Sequence, residues 1–227
     1  MPDHNVMASS TVEDYIKRIY LQQQQVPDTY VPLGRLATDM QVVPGTATAM
    51  VKTLSEAGLV DYQPRVGVQL TSNGHKLALH VLRRHRLLEL FLVQTLHYDW
   101  SEVHEEAEVL EHVVSDKMLE RIDQLLGYPS ADPHGDPIPS SQGTVPDRQL
   151  TRLIEINPDE PVHISRIVNQ EPAFLRFIER SGLTPGIGIT IDTLDDQAES
   201  LTLTREDGET LNLGLQAASS ILVARRE

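Results

Sequence analysis

No cysteine occurs among the 227 residues. That excludes disulfides, thiolate metal ligands and a cysteine nucleophile, while leaving the compartment unassigned. Aromatic residues make up only 4% of the chain, so a core must be built from aliphatic side chains, for which a hydrophobic content of 40% suffices. No apolar run approaches the roughly 20 residues that a membrane span needs. The start, Met1-Pro2-Asp3-His4, lacks the basic and apolar regions of a signal peptide. A soluble, cytoplasmic protein without a membrane partner is expected. Its length leaves room for one large domain or two small ones.

Positive charge is also scarce, with a formal net charge of −14. The deficit is uneven. Residues 1–86 hold nine Lys/Arg against seven Asp/Glu, whereas residues 87–227 hold ten against twenty-six. The acidity belongs to the second part, where bound metal would cancel some of it. The first part is free to meet a phosphate backbone.

What is abundant is a run of carboxylates and imidazoles, His104-Glu105-Glu106-Ala107-Glu108-Val109-Leu110-Glu111-His112. If residues 101–127 form one helix, then His104, Glu108, Glu111 and His112 follow i, i+4, i+7, i+8 and line one stripe. Val103, Ala107, Leu110 and Val114 form an apolar stripe beside it. His85 and Glu89 are also four residues apart. Such groups gathered in one place repel one another unless a cation sits among them, and nitrogen and oxygen donors without sulfur suit Mn²⁺, Fe²⁺ or Zn²⁺. The bland alternative is a solvated acidic face, which describes Glu105 and Glu106.

Residues 1–10 are expected to be disordered. A helix then opens at Thr11 with Tyr15, Ile16, Ile19 and Tyr20 inward. Asp14, three residues after Thr11, is either its capping-box partner or a metal ligand. After a loop at Pro27 and Asp28, Leu33, Leu36, Ala37 and Met40 predict a short helix. Pro44 opens another, with Ala47, Met50, Val51 and Leu54 inward and Gly58 as its stop. The outer face of that helix, with Gly45, Thr48, Ala49 and Lys52, is small, polar and mildly basic. Two such helices describe a helix-turn-helix. The following Leu59–Leu70 reads as a hairpin with a basic tip, Gln63-Pro64-Arg65-Val66-Gly67, which makes a wing. A long helix is predicted over 73–96, capped by Thr71 or Ser72, and a linker over Gly127–Gly143, rich in proline, glycine and serine. From about 148 the texture changes to five short strands (162–168, 187–193, 201–204, 210–213, 219–223) with a helix over 172–181, which suggests a small barrel.

Taken together, these segments resemble the diphtheria-toxin-repressor family of metal-dependent transcriptional regulators. The resemblance rests on Glu13-Asp14-Tyr15-Ile16-Lys17-Arg18-Ile19-Tyr20, Gly58-Leu59-Val60 and His85-Arg86-Leu87-Leu88-Glu89. It continues through His104 and Glu111-His112 with Ser115-Asp116 to Gly135-Asp136-Pro137-Ile138-Pro139. It implies a mainly α fold with α+β parts in three pieces. These are a winged helix-turn-helix DNA-binding domain (1–74), a helical metal-binding and dimerisation domain (75–143) and a C-terminal SH3-like, FeoA-like β-barrel (148–227). It further implies two metal sites per subunit. Asp14, Glu108, Glu111 and His112 would form the primary site. His85, Glu89 and His104 would form the second, with Glu171 or Gln170 lent by the C-terminal domain.

The departures are informative. Iron-type members place methionine and cysteine where this chain has Asp14 and Glu108, and hard carboxylates there point to Mn²⁺, with Fe²⁺ the other option. Short manganese-type members carry an acid where this chain has Lys17, which argues for separated sites. Asp136 stands where many members have asparagine, at an accessory anion site that also uses Arg86. The expected function is a metal-dependent, homodimeric DNA-binding regulator repressing metal-uptake genes, with no small-molecule substrate. Thr48 and Lys52 would contact the operator, with Pro44, Gly45 and Ala49 close to the bases and Arg65 on phosphate. Two alternatives are a winged-helix regulator answering to another ligand and a di-metal carboxylate enzyme. A di-iron bundle needs Glu-x-x-His on two helices, and Glu108-x-x-Glu111-His112 occurs once.

Overall fold

The computed structural model describes residues 9–26, 29–146 and 149–225. Most of the segment expected to be disordered (1–8), the loop tip at Pro27 and Asp28, and the start of the third domain at 148 lie outside the described residues. The chain divides into two compact units. One comprises Met1–His85, Glu111–Val114 and Pro139–Thr144, and the other comprises Arg86–Leu110, Ser115–Ile138 and Val145–Glu227.

The first unit begins with α1 (Ser10–Gln25), which buries Tyr15, Ile16, Ile19 and Tyr20. Its N-cap is Ser9, whose hydroxyl accepts from the Val12 amide, not Thr11. Asp14 is thereby released from the capping-box role, because a cap's partner stands three residues on from the cap. Next come α2 (Leu33–Asp39) and α3 (Pro44–Glu56), joined by a turn in which Gln41 adopts φ 53°. α3 buries Ala47, Val51 and Leu54, while Pro44, Gly45, Ala49 and Lys52 remain exposed. Strands β1 (Val60–Gln63) and β2 (Gly67–Leu70) pair antiparallel across the Pro64-Arg65-Val66 turn. Val31 bridges to Val68 on the far side of β2. This is the helix-turn-helix and wing expected from the sequence. α4 (Ser72–Leu96) follows, its first turn held by Thr71, whose hydroxyl accepts from the Gly74 amide.

In the second unit α5 (Val103–Leu110) and α6 (Asp116–Leu125) replace the single helix expected over 101–127. The helix stops at Leu110, residues 111–113 form a turn, and Ser115 caps α6 by accepting from the Met118 amide. A serine followed by an acid is a start signal, and it overrides the apolar spacing that ran through it. His104 and Glu108 therefore share a helical face, but Glu111 and His112 do not continue that face. The predicted linker is also different. Asp132, His134, Asp136 and Ile138 are all buried, and the Ala131↔Pro137 bridge closes a tight loop. The Asp132 side chain accepts from the amides of His134 (2.8 Å) and Asp136 (2.9 Å), which satisfies backbone that would otherwise demand solvent.

The C-terminal part of this unit is an SH3-like region built on a β-sheet. Its strands are β3 (Thr151–Arg152), β4 (Pro161–Ile167), β5 (Gly188–Asp195), β6 (Ser200–Arg205), β7 (Thr210–Gly214) and β8 (Ile221–Arg225). They form one antiparallel sheet in the order β3-β8-β4-β5-β6-β7. That is one strand more than expected, because β3 is too short to show a pattern. α7 (Pro172–Arg180) and the single-turn α8 (Leu215–Ala218) complete it. Ile164, Ile167, Ile191, Leu203, Ile221 and Val223 pack with Leu175, Ile178 and Trp100 into its core. The β4–β8 register shifts between Ile164 and Arg166. At that bulge the Ser165 carbonyl lies so close to Gly135 (φ +87°) that a Cβ there would meet it at 1.9 Å.

Candidate metal centre

Within the first unit, donor atoms of Asp14, Glu111 and His112 all lie within 4.8 Å of one another. Asp14 comes from α1, and the other two from the turn after α5. His112 is the hinge of the arrangement. Its Nδ1 is 2.7 Å from Glu13 Oε2, and Glu13 Oε1 is 2.5 Å from Arg84 Nη2. A carboxylate there accepts the Nδ1 proton and fixes the tautomer. Nε2 then turns a lone pair toward Asp14 Oδ1 at 2.9 Å and Glu111 Oε1 at 3.5 Å. A lone pair facing two carboxylate oxygens is stable only with a proton or a cation between them, so the donor set fits a hard divalent ion. Glu111 is fully buried. Its Oε1 accepts from Lys17 Nζ at 2.5 Å, and its Oε2 lies 2.6 Å from His85 Nδ1. Glu13 and Arg84 are the residues the sequence reading missed here. The Glu13-Asp14 pair was visible, but nothing in the spacing said that Glu13 would reach an imidazole ninety-nine positions away.

A second group lies wholly in the second unit, where donor atoms of Glu89, Asp132 and His134 lie within 4.8 Å of one another and all three residues are buried. Asp132 and His134 were also missed, since Asp132-Pro133-His134-Gly135 reads as turn chemistry. The His134 ring stacks on Trp100 (centroids 5.3 Å apart, 26° between planes), and its Nε2 donates to the Trp100 carbonyl at 2.8 Å. Nδ1 is buried and makes no hydrogen bond among the described residues, which leaves its lone pair available to a metal. Burial pushes the Asp132 carboxyl well above the usual carboxylate range. The neighbouring Asp136 and Glu89 charges add to this, and Arg86 opposes it.

The other predicted ligands distribute as follows. Glu89 Oε1 is 3.2 Å from His104 Nδ1, and His104 Nε2 is 3.4 Å from Glu108 Oε1, so these three meet on α4 and α5 within the second unit. His85 stands in the first unit, engaged with Glu111. Gln170 donates to Asp136 Oδ2 at 2.6 Å, and Glu171 is an exposed residue at the start of α7 whose side chain makes no cap bond. Asp136 also meets Arg86 Nη2 at 3.4 Å and Arg166. The place of the accessory anion that the resemblance implies therefore already contains a carboxylate paired with two arginines.

On the winged helix, Lys52 and Arg65 are exposed. Thr48 is half-buried, its hydroxyl donating to the Pro44 carbonyl at 2.8 Å. Among the described residues no helix is long and apolar enough to cross a membrane.

Residues 7–68 match the family described as iron dependent repressor, N-terminal DNA binding domain. Residues 71–140 match its metal binding and dimerisation domain, and residues 151–225 match the FeoA domain. The iron-dependent repressor IdeR of Mycobacterium leprae is 30% identical over 197 residues, spanning 81% of this chain and 84% of that protein. A solved manganese-dependent transcriptional repressor, in complex with manganese, superposes with a TM-score of 0.86 at 38% identity, covering 95% of this chain and 100% of that one. The manganese regulator SloR does so with a TM-score of 0.71 at 33% identity, covering 95% and 98%. Two of these relatives are named as repressors and the third as a regulator, and the enzyme alternative falls with them. Sequence, fold and relatives agree: the chain belongs to the iron-dependent repressor family of metal-dependent, DNA-binding transcriptional repressors.

Proposed function

We propose that this chain is a cytoplasmic, homodimeric repressor of metal-uptake genes that binds its operator when loaded with Mn²⁺, with Fe²⁺ as the alternative activator. The observation that carries the metal choice is the donor set around His112. One imidazole nitrogen and the carboxylates of Asp14 and Glu111, with no sulfur, suit a hard ion. The bound ion supplies two positive charges among those carboxylates. Asp14 belongs to the first helix of the DNA-binding elements, and Glu111 and His112 to the turn leading out of α5. Holding them together restrains α1, and a ligand that binds one arrangement preferentially shifts the population toward it. Glu89, Asp132 and His134 form the second site, with His104 beside Glu89.

Val109, Met118 and Leu125, on α5 and α6, are exposed apolar side chains that a second copy would cover. A symmetric dimer presents two recognition helices to half-sites about one DNA turn, roughly 34 Å, apart. Lys52 and Arg65 then meet phosphates, while Thr48, Gly45, Ala49 and Pro44 face the bases. The test is a gel-shift series on operator fragments with Mn²⁺, Fe²⁺, Zn²⁺ or chelator, run anaerobically. Mn²⁺ should activate at least as well as Fe²⁺, and His112→Ala should abolish activation while the dimer persists. Binding that is indifferent to chelator would favour a regulator answering to another ligand.

A further inference from the structure

Lys17 is the unexpected residue in the first unit. It lies one turn after Asp14 on α1, where a metal-collecting surface gains nothing from a positive charge. Yet its side chain is buried and its Nζ sits 2.5 Å from Oε1 of the fully buried Glu111. Around Glu111 and His112 the charged groups include the carboxylates of Glu13, Asp14 and Glu111 and the cations of Arg84 and Lys17, with His85 and His112 beside them. Arg84 answers Glu13. Lys17 answers Glu111. A divalent ion entering beside Glu111 therefore meets a carboxylate already paired with a resident cation. Without Lys17 that charge would be left to the ion.

We propose that the Lys17 ammonium is a resident counter-ion that stands in for metal charge at Glu111 in the metal-free protein and sets how much divalent ion is needed to fill the site. This rests on reading Asp14, Glu111 and His112 as a metal site. Two physical effects act in the same direction. Lys17 keeps the empty site from being an unpaired buried anion, which would otherwise drive ion uptake. It also repels the incoming cation through a medium of low effective dielectric, where like charges at close range interact strongly. With Oε1 held by Lys17 and Oε2 facing His85, Glu111 also has few lone-pair directions left for a metal. Lys17 is thus an affinity-setting residue, acting through Glu111.

The experiment is Mn²⁺ titration of the full chain by calorimetry and by chelator competition, with thermal unfolding of the metal-free and loaded forms. The site is identified as the one lost in His112→Ala. Lys17→Met should bind Mn²⁺ about tenfold more tightly or better. It should also melt lower than wild type when metal-free and gain more on loading. Lys17→Arg, which keeps the charge, should stay within about threefold of wild type. Should Lys17→Met fold only with metal, it is purified loaded and its affinity read from chelator competition alone. Affinity equal to or weaker than wild type in Lys17→Met overturns the proposal and leaves the site intact. Mn²⁺ affinity unaffected by His112→Ala overturns the site reading, and the proposal with it.

Discussion

Replacing Gly135 by alanine would test the buried loop that carries Asp132 and His134. Two costs add at this position. Its φ of +87° places an L side chain in the left-handed region, worth roughly 1–2 kcal/mol. The added Cβ would also lie 1.9 Å from the Ser165 carbonyl oxygen and 2.8 Å from both Ser165 C and Arg166 Cα. All three are backbone atoms of β4, so no side-chain rotation relieves the overlap. The loop or the strand must retreat by roughly 1–1.5 Å before ordinary contact distances return. That retreat puts the 2.8 Å hydrogen bond from the Ile167 amide to the His134 carbonyl at risk, and a buried bond lost costs about 1–3 kcal/mol. The total is about 2–5 kcal/mol. Gly186 is the control, since its φ is +98° but nothing lies within 4 Å of a Cβ there, so alanine should cost only the conformational part. At about 2–4 °C per kcal/mol for a chain of this size, Gly135→Ala should lower Tm by roughly 10 °C and Gly186→Ala by roughly 3–5 °C. Trp100, the single tryptophan, stacks on His134 and makes its fluorescence a local probe of the second unit. Equal shifts for the two variants would refute the close approach of the loop to β4.

Two other predictions concern function directly. Glu13→Gln should weaken Mn²⁺ binding about tenfold, the low end of the range for partners that orient a ligand histidine, because the Nδ1 acceptor of His112 loses its charge. Calorimetry checks this, and an unchanged affinity would mean that Glu13 does not orient the imidazole. Lys52→Ala should weaken binding to every DNA sequence and reduce the log–log salt slope by about 1, whereas Thr48→Ala should change sequence preference with the slope kept. Fluorescence anisotropy at several salt concentrations separates them. Indistinguishable effects would mean that α3 presents another face.

Some of this was legible in the sequence because its cause is local. The Ala47, Val51, Leu54 spacing specifies α3, Pro44 and Gly58 punctuate it, and the wing follows from alternation around Pro64-Arg65-Val66. Ser115-Asp116 was an equally local signal. It divides α5 from α6 although an apolar period runs through it, so the ligand stripe expected of one helix is broken after Leu110.

The sequence by itself determined which donors the chain possesses. It has no cysteine, and Asp14, Glu111 and His112 offer nitrogen and oxygen donors without sulfur. Tertiary structure alone decided which of these donors meet and what holds them. Glu13 reaches His112 across ninety-nine residues, and Lys17 reaches Glu111 across ninety-four. Asp132 and His134 come to Glu89 from a loop that composition marks as a linker. Spacing along a chain encodes contacts only within one element. The charge that neutralises a buried carboxylate arrives from wherever packing brings it, and no periodicity records that.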